Sequence, residues 1–375
     1  MTRRDFLRSC GAGFCLLSLS SLLRSPRVSQ AQLVKKGLVK KKRSSWFTSL
    51  DRKEVRCELC PKRCRVSNGS RGFCRVRENQ DGEYYSLVYG NPCALHLDPI
   101  EKKPFFHVLP STSSFSIATV GCNFECKFCQ NWEISQAYPE DVYNYDAPPE
   151  MIVEKALESG ARTVAYTYTE PTVFYEYMLD TARQVKRTNL LNVMHSNGFI
   201  NPEPLETLCT VLDAANIDLK YYSESFYQEL CSGSLSPVLE TLKILKQKNI
   251  HLEITCLVIP TKNDDVAVLR DMCLWVKREL GAGTPIHFSR FYPLYKLRSL
   301  PPTPVSTLEK ARAVALASGL EYAYIGNVPG HEGENSFCPR CGKLLIRRAG
   351  YMVTEIHIKA GKCAFCGNPV PGIWS

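Results

Sequence analysis

Between residues 112 and 327 the chain alternates short runs of apolar, β-branched and aromatic residues with longer stretches of helical period. Seven runs read as strands: "FSIATV" (115–120), "TVAYTY" (163–168), "LNVMHS" (191–196), "AANIDL" (214–219), "HLEITCLVI" (251–259), "IHFSRF" (286–291) and "EYAYIG" (321–326). Between them, apolar residues recur at three- and four-residue intervals in "PEMIVEKALESG" (149–160), "VFYEYMLDTARQVKR" (173–187), "SPVLETLKILKQKN" (236–249), "VAVLRDMCLWVKREL" (266–280) and "STLEKARAVALASG" (306–319). Pro149 opens the first of these and Gly160 closes it. Strand and helix in repeated alternation predict an α/β fold of parallel strands joined by crossover helices. Seven strands in series fit a barrel-like sheet, full or incomplete, better than an open sheet with a switch point. Functional groups in such sheets gather at the C-terminal ends of the strands.

The flanks have a different texture. Residues 32–111 are basic and loop-rich, and residues 328–375 carry Gly- and Pro-bearing turns; no repeat or low-complexity tract appears. Residues 1–31 run from Arg3-Arg4 through Phe6-Leu7 to a short apolar stretch and small residues at Ser29 and Ala31. That order is a signal of twin-arginine type. Its apolar run is too short for a membrane span. Cleavage after Ala31 removes five Arg and one Asp and takes the net charge from +10 to +6. So modest a charge gives no nucleic-acid signal. The run "KKGLVKKKR" (Lys35 to Arg43) reads as a solvated linker, with nucleic-acid or anionic-lipid contact as the competing reading.

Composition alters the picture at one residue type. Eighteen cysteines are many for 375 residues, and most fall into three tight groups with C-x2-C steps. That spacing suits metal centres better than long-range disulfides, even in an exported chain. The central group, in "GCNFECKFCQNW", is Cys122, Cys126 and Cys129, and it follows the first strand directly. A [4Fe–4S] cluster ordinarily takes four thiolates; held by three, it keeps one iron open to a ligand, as a catalytic metal requires. The competing readings are a zinc site completed by His and a cluster with a remote fourth ligand. No His lies in the loop, and the nearest upstream is His107.

The outer groups can each close around a metal with four thiolates. Cys57, Cys60, Cys64 and Cys74 have C-x2-C-x3-C-x9-C spacing, which zinc and an auxiliary iron–sulfur cluster satisfy equally. Cys338, Cys341, Cys363 and Cys366 form the C-x2-C-x21-C-x2-C pattern of a zinc ribbon, with a hairpin expected around Ala349-Gly350. Cys93, Cys209, Cys231, Cys256 and Cys273 stand alone in apolar contexts and read as small buried hydrophobes. His195 at a strand end is a candidate to line a pocket, and Arg290 alternates with apolar neighbours as if pointing inward to bind a carboxylate.

The C-x3-C-x2-C loop, with Phe128 before its last cysteine, resembles the signature of radical S-adenosylmethionine (SAM) enzymes. The resemblance extends to "YTEP" (168–171), where the family carries Gly-Gly-Glu-Pro, to "SNG" (196–198) and to "IDLK" (217–220). It implies a partial (β/α)6-type TIM-like barrel at 112–327. In it Cys122, Cys126 and Cys129 hold the cluster, Glu170 faces the SAM ammonium, Ser196 and Asn197 line the SAM site, and Asp218 and Lys220 face its ribose and carboxylate. Each of these three strand-end groups also has a plain structural reading: a helix cap for Glu170, a turn at Asn197-Gly198 and a surface pair for Asp218 and Lys220. The segments "DPIEKKPFFHVLP" (98–110), "HFSRFYP" (287–293), "YIGNVPG" (324–330) and "CPRCGKLLIRRAGY" (338–351) are similar to the radical SAM enzyme of the AmmeMemoRadiSam system, whose core is akin to that of glycyl-radical-enzyme activases.

This implies SAM cleavage to a 5′-deoxyadenosyl radical acting on a protein or small-molecule substrate. An electron donor such as flavodoxin or ferredoxin, and the other proteins of that system, are the partners implied. The competing reading is a non-enzymatic electron carrier or binding module. Signal and cofactors pull localisation apart, toward export or toward the cytoplasmic face.

Overall fold

The computed structural model describes residues 34–375, so the segment read as an export signal (1–31) lies outside the described residues. One sheet of eight strands organises the fold: β1 (Ala94–Pro99), β2 (Ser113–Ala118), β3 (Thr163–Tyr166), β4 (Leu191–Ser196), β5 (Ala214–Asp218), β6 (His251–Val258), β7 (Ile286–Arg290) and β8 (Ala323–Gly326). Their spatial order follows the chain from β1 to β8. Strands β2 to β8 are parallel, while β1 runs antiparallel to β2 at one edge. The seven parallel strands are the seven apolar runs. Strand β3, "TVAY", is buried at every position, as a parallel strand covered on both faces must be. Strand β1 gives no such signal. It is an edge strand in which His96, Leu97 and Pro99 are exposed.

The crossovers are α1 (Pro149–Glu158), α2 (Tyr175–Val185), α3 (Pro202–Cys209), α4 (Ser236–Gln247), α5 (Val266–Leu280) and α6 (Val305–Ala317). Helix α5 begins where its sequence period begins, because the Asp265 carboxylate accepts from the backbone N–H groups of Ala267 (2.9 Å) and Val268 (3.0 Å). Helix α3 is short and carries two prolines in "PEPLETLC", too little for its period to register in sequence.

The flanks pack on this core. Short antiparallel strands Phe47–Ser49, Val55–Cys57 and Arg65–Val66 form one small sheet. The buried Arg77 guanidinium ties this region to α2: its Nη1 donates to Glu176 Oε1 at 3.0 Å and to Ser44 Oγ at 2.8 Å. The basic run 35–43 departs from the linker expectation. Val34–Lys36 pairs antiparallel with Tyr143–Tyr145, and Lys42–Arg43 pairs with Tyr85–Ser86. The charges stay at the surface while the backbone is spent in sheet bonds. At the other end, β9 (Leu344–Ala349) and β10 (Met352–Ile356) form the hairpin expected around Gly350. A second apolar cluster, Phe106, Tyr322, Tyr324, Leu345, Ile346 and Val370 among it, joins that hairpin to the edge of the sheet.

Candidate active site

A cavity of about 490 Å³ opens at the C-terminal ends of the parallel strands. Cys122, Cys126 and Cys129 line it together with Phe128, Glu170, Ser196, Asn197, Asp218 and Lys220. The structure therefore gathers every residue that the resemblance placed around the cluster and SAM onto one space, although they come from four strand ends.

The three-cysteine loop leaves β2 through Gly121, whose φ of 97° favours glycine. A Cβ there would lie 2.7 Å from the Cys74 carbonyl oxygen and from a Val76 methyl. The loop rests on a neighbouring backbone. Glu125 N donates to Cys231 O (3.0 Å) and Lys127 N to Leu230 O (2.9 Å). Phe124 N points at Cys122 Sγ (3.3 Å), and Cys129 Sγ meets Ser135 Oγ at 3.3 Å. Cys231 is buried as expected but not isolated, for its thiol sits against Cys126 and acts on its ionisation. His107 cannot complete a zinc site here. Its ring is bonded to Pro371 O (2.6 Å) and the Tyr324 hydroxyl (2.7 Å), away from the cavity lining.

Glu170 is buried, and both of its oxygens have protein partners. Oε1 accepts from Thr172 N (3.0 Å) and Ser196 Oγ (2.7 Å), and Oε2 accepts from Asn197 N (2.8 Å). Its cap on the Pro171–Phe174 turn is real, so the structural and cofactor readings coexist. Burial pushes its pKa up, against the pull of those donors. Two residues before it, Tyr168 adopts φ 64°, a left-handed conformation that only glycine takes without strain. The tyrosine holds it through three contacts. Its hydroxyl donates to Asp98, its carbonyl accepts from Asn131 Nδ2 (2.6 Å), and the Lys103 ammonium lies 3.9 Å from its ring centroid.

At the end of β5, Lys220 Nζ donates to Asp218 Oδ2 (2.8 Å) and His195 Nε2 meets Asp218 Oδ1 (3.0 Å). Burial alone would raise the Asp218 pKa, but Lys220 and His195 outweigh it and hold the carboxyl well below the usual range. Burial likewise opposes the Lys220 ammonium, yet Asp218 and the Cys126 sulfur raise its pKa well above that of ordinary lysine. The Lys220 ammonium also stands 5.7 Å from the Phe128 ring centroid. The site thus offers three thiols, a paired anion and cation, and a buried carboxylate.

Sequence reading placed one residue wrongly and missed others. Arg290 is absent from the cavity lining; its Nε donates to Thr303 O (2.8 Å), and the β7 residues facing the cavity are His287 and Ser289. Lys103 and the hairpin tip Gly350-Tyr351 line the cavity but went unseen because no local pattern marks a residue that reaches a site from a distant turn. Cys338 Sγ lies 3.6 Å from Cys366 Sγ, and Cys341 Sγ 3.8 Å from Cys363 Sγ. All four sulfurs lie within 4.8 Å of one another, a set built to bind a metal ion.

Residues 116–272 match the sequence profile of the Radical SAM superfamily. An uncharacterized protein of Methanocaldococcus jannaschii is 47% identical over 327 residues, covering 87% of this chain and 97% of its own. The pyruvate formate-lyase 1-activating enzyme of Escherichia coli K12 is 23% identical over 209 residues, 52% of this chain and 85% of the enzyme. Among solved structures, a radical SAM methyltransferase from Sphaerobacter thermophilus is similar with a TM-score of 0.47 at 12% identity, over 79% of this chain and 81% of that one. The chain belongs to the Radical SAM superfamily. Membership implies a [4Fe–4S] cluster and SAM, and an enzyme that cleaves SAM to a radical.

Proposed function

We propose that the protein is a radical SAM enzyme of the AmmeMemoRadiSam branch, its sheet an incomplete (β/α) barrel of the (β/α)6 type, with Cys122, Cys126 and Cys129 as the cluster ligands. One observation carries this reading: three thiols, the Asp218–Lys220 pair and the Glu170–Ser196–Asn197 group line a single cavity at successive strand ends. When bound, cluster and SAM together supply a 5′-deoxyadenosyl radical that takes hydrogen from the substrate. The protein's part is binding, orientation and electrostatics.

Lys220 and Asp218 would give the carboxylate and ribose hydroxyls of SAM a cation and an anion as partners. Glu170 would face the amino group, and it holds Ser196 and Asn197 in place by accepting from Ser196 Oγ and Asn197 N. Phe128 fills the wall beside Lys220. Asn123 and Asn197 fix the cysteine loop against β4. A thiolate set of three, to which no histidine is bonded among the described residues, suits an iron left open to SAM. The ribbon cysteines are assigned zinc, since a tetrahedral ion with Zn–S near 2.3 Å requires sulfurs roughly 3.8 Å apart. Flavodoxin or ferredoxin supplies the electron, and the other proteins of the system are the candidate partners.

The test is anaerobic reconstitution with iron and sulfide, followed by dithionite and SAM. The enzyme should release 5′-deoxyadenosine and methionine, and Cys126→Ala should abolish that release while the ribbon keeps its zinc. An electron carrier would be reduced without cleaving SAM, and that result would reject the proposal.

A further inference from the structure

The N-terminal cysteine group lies against the three-cysteine loop. Cys57 closes the strand Val55–Cys57, and Cys60 and Cys64 follow in a turn bonded back to it through Cys57 N to Cys64 O (2.9 Å) and Arg63 N to Cys60 O (3.0 Å). Cys57, Cys60 and Cys74 are buried, and Cys64 is half-buried. All are free thiols.

Sulfur spacing separates this group from the ribbon. The ribbon sulfurs already stand at distances a single tetrahedral ion needs. Among the described residues, the ribbon set is the one whose sulfurs are drawn together as ligands of a single ion; neither Cys57, Cys60, Cys64 and Cys74 nor Cys122, Cys126 and Cys129 form such a set. In this the first group is like the central loop and unlike the ribbon. An iron–sulfur cube sets iron and sulfide between its ligands, so its thiolates stand farther apart than those around one ion.

Position adds a second, independent observation. Gly121 immediately precedes Cys122, and a Cβ on it would fall 2.7 Å from the Cys74 carbonyl oxygen. That contact and one 3.8 Å step along the chain bound the Cys74–Cys122 Cα separation at roughly 10 Å. Lys62, in the turn between Cys60 and Cys64, bonds to Ser232 O, next to the Leu230–Cys231 backbone that supports the central loop.

We propose that Cys57, Cys60, Cys64 and Cys74 hold a second, fully ligated [4Fe–4S] cluster that takes one electron from a low-potential donor protein and passes it to the cluster at Cys122, Cys126 and Cys129. One electron enters and one leaves for each sulfonium bond broken; no bond forms or breaks at the second cluster and no proton moves. The metal assignment stands by itself, whereas the relay rests on the proposed function.

The experiment uses full-length protein produced anaerobically with 57Fe. The Cys122→Ala/Cys126→Ala/Cys129→Ala variant should retain about four irons and four sulfides per chain. Its reduced EPR signal should not respond to SAM. A variant holding zinc and no iron overturns the assignment. Should the triple variant not fold, Cys60→Ser decides. Its iron should fall to about half the wild-type content. Its SAM-responsive signal should persist, and flavodoxin-driven 5′-deoxyadenosine release should fall about tenfold or more while dithionite-driven release changes little. Unchanged iron overturns the second cluster, and unchanged flavodoxin-driven release overturns the relay. Four irons in the triple variant alongside a wild type that never cleaves SAM would reject the proposed function and leave the second cluster standing.

Discussion

Asn197 Nδ2 donates to Asn123 Oδ1 at 2.8 Å, joining the end of β4 to the cysteine loop at the end of β2. Both side chains are buried, and both bond Phe199 as well: Asn123 Nδ2 donates to its carbonyl (2.7 Å) and Asn197 Oδ1 accepts from its N–H (2.9 Å). Asn197 Nδ2 also stands 3.8 Å from Cys122 Sγ. The position of the first thiolate relative to Glu170 is thus set by side chains, not by the stiffness of the loop.

Asn197→Ala should strip Asn123 and Phe199 of buried partners and destabilise the fold by about 1–3 kcal/mol. Thermal unfolding reads the loss. The reduced cluster's EPR line shape should change as well, because an N–H beside Cys122 is removed. A variant equal to wild type in both would show the network to be incidental.

Lys220→Met leaves Asp218 with only His195 to offset burial, and the carboxylate keeps about a quarter of its side chain exposed. A loss of about 3 kcal/mol at pH 7 is expected. The pH dependence should change sign too. In wild type the Asp218 pKa is depressed on folding, so its stabilisation is full above the unfolded value near 4 and fades as pH falls toward the folded value. Once Lys220 is gone, burial should raise the folded pKa. The variant's deficit should then be smallest in acid and grow as pH rises through that pKa. Denaturation at several pH values checks both trends.

Gly121→Ala should cost about 2 kcal/mol or more, since alanine meets both an unfavourable φ and the Cys74 carbonyl. Urea unfolding reads the stability, and iron content reads the damage to both neighbouring cysteine groups. Ala at Gly160, which has open space around its Cβ position and φ 71°, should cost less and leave iron unchanged.

Removing the ribbon metal by chelation, or by Cys341→Ser, should loosen more than the ribbon. Glu334 Oε2 accepts from Gly330 N (2.9 Å) and Gly350 N (3.0 Å), and Glu334, Gly350 and Tyr351 all line the cavity. Hydrogen exchange should therefore rise across residues 327–337 as well as in the hairpin, with the cluster retained. Exchange confined to the hairpin would contradict the coupling.

What was legible in the sequence follows from the range of the forces involved. Strands β2 to β8 were readable because buried parallel strands are apolar along their length, and LNVMHS (191–196) and VAVLRDMCLWVKREL (266–280) match β4 and α5 residue for residue. Motif residues were readable because chemistry fixes their spacing. Strand β1 was hidden by its exposure, and the strands at 34–43 by their charge, since backbone pairing leaves no trace in side-chain polarity. Lys103 and the hairpin tip were hidden because only the tertiary fold brings them to the cavity. Tyr168 is the instructive case: its left-handed backbone follows from contacts with Asp98, Asn131 and Lys103 that no local rule anticipates.

The most direct measurement is the EPR spectrum of the reduced, iron-loaded protein before and after SAM is added. If three thiolates leave one iron open in the cavity, SAM should shift the signal in wild type and in Cys60→Ser, but not in Cys126→Ala. A wild-type spectrum that stays the same under saturating SAM would mean that the iron is closed, and the account would fail there.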